Sequence, residues 1–243
     1  MDKQVRTNAF WRLGVFRVVA SACGLFFVLT LVAMLLYPGG SVAAPGAERY
    51  SFFLNFFSDL GQTHVGYGPL GASNLVSMVL FVAALVMAAA ALVLFFIAFA
   101  GLVGSATSRW LARSAALFGV VAGVSFVGVA LTPWNHYLLA HNAFVAWAFR
   151  AFFAADLLLF AAVVLEPGFP RRFAWIFGAF AALLAAYVGL LTFGPTTTTA
   201  LGSIVQATGQ KVIAYASILT VCIQSLNVVA LPRSREAGAT RAA

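Results

Sequence analysis

Residues 73–100 read SNLVSMVLFVAALVMAAAALVLFFIAFA, without one charged side chain. A helix needs about 20 residues to cross the ~30 Å hydrocarbon layer of a bilayer. This run exceeds that length, so it predicts a membrane-spanning helix. Five further apolar runs, near 15–37, 114–132, 142–165, 173–193 and 209–231, predict the same. Breakers separate them: Pro38-Gly39-Gly40, Gly101 to Gly104, Thr132-Pro133, Pro167-Gly168, Gly194-Pro195 and finally Pro232. The expected fold is all-α, a polytopic six-helix transmembrane bundle forming a single integral membrane domain over residues 1–243.

Composition excludes the soluble alternative. Of the 243 residues, 63% are hydrophobic and 8% charged, whereas a soluble domain carries roughly 25% charged residues. Lipid accepts apolar side chains on the outside of helices, and water does not. The net charge of +8 does not indicate nucleic acid, because no basic stripe interleaved with aromatics is present. Basic residues instead orient the chain, since Lys and Arg crowd cytoplasmic loops. With the N-terminus inside, Lys3, Arg6, Arg12, Arg17, Arg109, Arg113, Arg171, Arg172, Arg233, Arg235 and Arg241 lie on the cytoplasmic side. Only Arg49 and Lys211 lie opposite, and Arg150 falls within a span. Both termini are therefore expected in the cytoplasm, with residues 38–72 as an external loop, in a multi-pass protein of the cell (inner) membrane.

Two features carry less. The basic start, the apolar run and Ser41-Val42-Ala43 resemble a signal peptide with its cleavage site. However, the run from Val18 to Tyr37 exceeds the 7–15 residues of a signal core, so it is read as the first span. Cys23 and Cys222 lie within apolar runs, and no C-x-x-C suggests a disulfide framework or a zinc site.

Polar groups inside a membrane are costly and ask for partners. His64, His136, His141, Asp59, Asn74, Asn135, Gln210 and Lys211 all fall toward the external side, so a shared outer pocket is expected. Lys211 is read as opening the sixth span, with Asp59 as its counter-ion. Asp59 sits in Asn55-Phe56-Phe57-Ser58-Asp59-Leu60-Gly61, read as a short interfacial helix that Gly61 ends in the left-handed conformation. Arg150 shares a helix face with Asn142 and Ala146, about 13 Å below His141 at 1.5 Å per residue. That face is expected to point into the bundle, and Arg150 need not pair with Asp156. Gly119 and Gly123 form a G-x-x-x-G, which permits close helix approach within the bundle.

Three segments then stand together. Ser58-Asp59-Leu60-Gly61 precedes the second span, which opens with Asn74-x-x-Ser77. Thr132-Pro133-Trp134-Asn135 leads to His141, and Gln210-Lys211 with Tyr215 opens the last span. In this order, and with six spans, the chain resembles the domain of unknown function 998 family of prokaryotic membrane proteins. That family is in turn similar to the DRAM/Frag-type six-span proteins. The resemblance implies the location of a site and brings no settled activity. Where such relatives tend to have Thr-Pro-x-Asp, this chain has Asn135, and His64 and His136 do not match the pattern.

The candidate pocket is thus Ser58, Asp59, Asn74, Ser77, Asn135, His141, Arg150, Gln210, Lys211 and Tyr215. Its cation and amides suit a lipid headgroup or a small polar solute, for transport or sensing. An intramembrane lipid hydrolase using Asp59 and His141 is the alternative, and a non-catalytic scaffold subunit a further one. The spacing of His136 and His141 speaks against zinc, because a helical ligand pair uses i, i+4. No G-x-S-x-G surrounds Ser58. No metal or cofactor is expected, membrane lipids are the expected partners, and oligomeric state is left open.

Overall fold

A computed structural model describes residues 13–65 and 71–231. Its helices are α1 (Val15–Leu35), α2 (Leu75–Ala100), α3 (Ala106–Leu131), α4 (Trp134–Leu165), α5 (Arg171–Phe193) and α6 (Ala200–Val229). All six are long and apolar enough to cross a membrane, as a multi-pass membrane protein requires. A 3₁₀ turn (Phe57–Gly61) and a two-residue antiparallel pair, β1 (His64–Val65) with β2 (Ala72–Ser73), lie between α1 and α2.

Short connections force α2 to α6 to run antiparallel in succession, and the longer segment 36–74 returns α1 to α2. Each helix packs on its neighbours in sequence, and α6 returns to pack on α1. The result is a closed ring in chain order. Phenylalanines fill its interior, among them Phe16, Phe95, Phe96, Phe99, Phe173 and Phe177, all buried. Many of these rings meet edge to face, as Phe95 does with Phe96 at 5.5 Å, an arrangement favoured by the ring quadrupole. The outside is apolar too, with Leu35, Leu139 and Phe193 more than 80% exposed, as suits lipid contact.

Helix boundaries differ from the hydropathy reading at α3, α4 and α6, which begin at Ala106, Trp134 and Ala200 instead of near 114, 142 and 209. Hydropathy sees only the apolar length of a helix. Arg109, Arg113, Gln206 and Gln210 lower it, yet all are good helix formers. Side-chain caps also mark two true starts. Ser105 Oγ accepts from Ser108 N at 3.3 Å, and Thr199 Oγ1 accepts from Gly202 N at 3.0 Å.

One end of the ring gathers the starts of α1, α3 and α5. Glu166, after α4, accepts hydrogen bonds from Gly104 N (2.8 Å) and Ser105 N (3.0 Å) ahead of α3. Arg172 donates to the carbonyl of Asn227 near the end of α6 at 3.4 Å. Arg17, Arg109, Arg113, Arg171 and Arg172 therefore share this arginine face. Lys3, Arg6, Arg12, Arg233, Arg235, Arg241 and Pro232 lie outside the described residues.

At the opposite end, the first loop enters the ring. The ring of Phe57 lies 6.1 Å from Phe26, 5.3 Å from Phe81 and 5.5 Å from Tyr215. Phe26 is nine residues before the end of α1, about 14 Å along the helix. Residues Phe57, Ser58, Asp59, Leu60 and Gly61 are all buried. The expected short helix is a 3₁₀ turn that plugs this end of the ring, where its aromatic side chain fills space between the helices. Gly61 has no positive φ. Its role is close approach, since a Cβ there would meet Phe81 Cδ1 at 2.9 Å.

The G-x-x-x-G faces α2. A Cβ on Gly123 would stand 2.4 Å from Val93 Cγ2 and 3.1 Å from the Ala89 carbonyl. Gly189, by contrast, has no atom within 4 Å of its would-be Cβ. Gly123→Leu should therefore cost about 2 kcal/mol or more, and Gly189→Leu should leave thermal unfolding in detergent nearly unchanged. Equal loss from both would show that α2–α3 packing is not tight at Gly123.

Candidate functional site

The plug is organised by one carboxylate. Asp59 is fully buried, and four donors converge on it. Oδ2 accepts from Asn55 Nδ2 at 3.0 Å and Phe56 N at 2.9 Å. Oδ1 accepts from Gln62 Nε2 at 3.0 Å and from Trp134 Nε1, on α4, at 3.1 Å. Such convergence on an ionised acceptor makes strong bonds. Burial still dominates, pushing the Asp59 carboxyl up from 3.8 to about 6 against the lowering by Asn55, Phe56, Trp134 and Gln62.

Lys211 does not open the sixth helix. It lies eleven residues into α6, fully buried, because α6 begins earlier than its apolar run. It also forms no direct ion pair with Asp59. Its ammonium donates to the carbonyl of Asn55 and lies 5.6 Å from the Tyr50 ring and 5.2 Å from the Phe52 ring. Asn55 stands between the charges, joining Lys211 through its backbone and Asp59 through its amide. The same amide donates to Gly40 O at 2.7 Å, while Asn55 Oδ1 accepts from Ser51 N at 2.9 Å.

Most other expected site residues also hold the loop. Asn74 Nδ2 donates to Gln62 O at 2.9 Å and Leu60 O at 3.1 Å, and Ser77 Oγ reaches Leu60 O at 3.4 Å. Gln210 Oε1 accepts from Phe57 N at 2.8 Å. Asn135 Nδ2 and His136 Nε2 meet Thr63 Oγ1 at 3.1 Å and 2.7 Å. His64 and His136 are exposed. Tyr215 makes no hydrogen bond to the loop but packs on Phe57 at 5.5 Å and stacks on Phe27 at 5.2 Å, with its hydroxyl 3.2 Å from Thr30 Oγ1.

Beside the plug, between the loop-end halves of α4, α5 and α6, is a cavity of about 480 Å³. Four expected residues line it: Ser58, His141, Arg150 and Gln210. Sequence reasoning missed Trp134, Tyr187, Thr197 and Gln206 on its wall, although Gln206 precedes Gln210 by one helical turn, a legible signal. Arg150 shares that wall with Asn142 and Ala146. Val145, Ala148, Phe149 and Phe152 form the buried stripe of α4, and Arg150 lies about 100° around from Phe149. It is exposed, donating to Ala146 O and Thr192 Oγ1 at 3.2 Å each. His141 is buried, with Nδ1 2.8 Å from Thr132 O and Nε2 without a partner among the described residues. Asp156 is buried in α4, with Oδ2 likewise unpartnered.

A second, apolar cavity of about 70 Å³ lies inside the ring, lined by Cys23, Phe26, Leu85, Phe126 and Phe152 among others. Ser58 and Gln210 line both cavities, so the plug forms the wall between a polar and an apolar chamber. Asp59 directs both oxygens at structural donors, which suits an anchor better than a base. No group of three His, Cys, Asp or Glu side chains among the described residues is arranged to hold a metal.

The raised Asp59 carboxyl sets a pH dependence. The folded state binds this proton more tightly than the unfolded chain, so stability from Asp59 is full below about pH 4 and is lost as pH rises through about 6. Thermal unfolding in detergent should show that fall, and Asp59→Asn should flatten it. Asp59→Ala, which strands four donors, should cost about 3–5 kcal/mol at neutral pH. An unchanged slope in Asp59→Asn would assign the titration elsewhere.

No family model, no curated protein and no solved structure matches this chain.

Proposed function

We propose that this protein binds an anionic headgroup of a membrane lipid in the cavity between α4, α5 and α6, without catalysing a reaction on it. Arg150 carries the reading. It stands midway along α4, sixteen residues from Trp134, yet its only hydrogen-bond partners among the described residues are one carbonyl and one hydroxyl. A guanidinium at that depth calls for a counter-charge, and an anionic ligand in the 480 Å³ cavity supplies it. Guanidinium and phosphate match in geometry and charge. His141, Gln206 and Gln210 add polar groups on the same wall.

The membrane setting follows the basic residues. Lys and Arg bias puts the arginine face and both termini in the cytoplasm of a cell-membrane protein, with the plug and cavity in the outer half. Exposed Trp110 and Trp175 beside the arginine face suit an interfacial belt. We also propose membership of the domain of unknown function 998 family, on the strength of the Ser58-Asp59-Leu60-Gly61, Thr132-Pro133-Trp134-Asn135 and Gln210-Lys211 segments.

Two measurements test this. Purified protein in mild detergent should be stabilised thermally by phosphatidylglycerol, less so by phosphatidylcholine, and Arg150→Gln should abolish the difference. Stabilisation by inorganic phosphate alone would make the ligand a free anion, and no anion effect would end the binding proposal. Reporter fusions at Ser105 and Gly168 should read cytoplasmic, and those at His136 and Thr198 external. The reverse pattern would invert the chain.

A further inference from the structure

The ring closes where α1 meets α6, its two chain-terminal spans. The two helices run antiparallel there, and their contacts keep a consistent register. Thr30 Oγ1 meets Tyr215 OH at 3.2 Å. Seven residues toward the arginine face on each helix stand Cys23 and Cys222, the only cysteines in the chain. Seven residues are nearly two full turns, so both positions return to the same helix face. Each cysteine is the other's neighbouring group, so the two side chains face one another across the seam. Both are free thiols, Cys23 buried and Cys222 half-buried.

We propose that Cys23 and Cys222 form a dithiol site that closes to an intramolecular disulfide across the α1–α6 seam, with a bilayer-soluble quinone as electron acceptor. The two S–H bonds break and one S–S bond forms. Two electrons and two protons pass to the quinone, leaving a hydroquinone. The location selects this class of oxidant. Cys23 lines the apolar central cavity, walled by Phe26, Leu85, Leu92 and Phe152. Cys222 lies between Val221, which also lines that cavity, and Ile223, which is 37% exposed on the outer surface. A polar oxidant or a soluble disulfide would have to cross hydrocarbon to reach the pair, whereas a quinone partitions there. The bond would tie α1 to α6 at the seam that closes the ring.

The site is independent of the lipid cavity, and its test does not use an anion. Full-length protein in lipid nanodiscs is treated with a fully substituted benzoquinone, which accepts electrons without alkylating thiols, then denatured and labelled with a maleimide. Untreated protein should take two labels per chain. Treated protein should take none, with an intact mass lower by two hydrogens and a higher melting temperature. Cys222→Ser should keep its single label after the same treatment, and Cys23→Ala likewise. Two labels persisting on treated wild-type protein would overturn the proposal. So would a covalent dimer, because it would show Cys222 reacting between chains.

Discussion

A buried carboxylate meeting four fixed donors is the interaction on which the loop end of this protein depends. Six helices in a ring leave a space at their centre, and apolar side chains alone do not close it at the loop end. The first loop enters that space, bringing backbone polar groups that must be satisfied away from water. Asp59 satisfies Phe56 N directly and gathers Asn55, Gln62 and Trp134. Asn74 takes the carbonyls of Leu60 and Gln62, and Lys211 that of Asn55. The loop is thereby tied to α2, α4 and α6. Its conformation places Ser58, and its bond to Gln210 fixes the partition between the two chambers.

The charges divide by role on the same grounds. Lys211 and Asp59 are both buried and share Asn55 as intermediary, so each is compensated by the chain itself. Arg150 is not: its partners are neutral, and it opens on the cavity between α4, α5 and α6. A cation midway along a span, with only neutral partners, is costly to a membrane protein unless something else neutralises it. That asymmetry is why the binding proposal rests on Arg150 and not on the more conspicuous lysine.

The spans were legible because apolar length is a direct property of sequence, and residues 73–100 leave little choice. The starts of α3, α4 and α6 were not, because helix continues past the hydrocarbon wherever caps and propensity allow. Asp59, Asn74, Gln210 and Lys211 meet around the first loop, and most of their partners are backbone atoms. The carbonyls of Asn55 and Leu60 and the amides of Phe56 and Phe57 have no sequence signature, so the cluster read as an open pocket. Asn142, Ala146 and Arg150 do share a face of α4, and it lines the cavity, whereas Val145, Phe149 and Phe152 form the buried stripe. The meeting of Cys23 and Cys222 needed the ring closure, which periodicity within each span does not encode.

The central claim is that Arg150 is completed by an anionic headgroup. A cryo-EM map of the protein in nanodiscs made from native lipid extract tests it most directly. The account predicts headgroup density within about 3 Å of the Arg150 guanidinium, the distance of a charge-assisted hydrogen bond, with Gln206 or His141 beside it. A cavity without such density, and Arg150 turned away to the membrane surface, would contradict it.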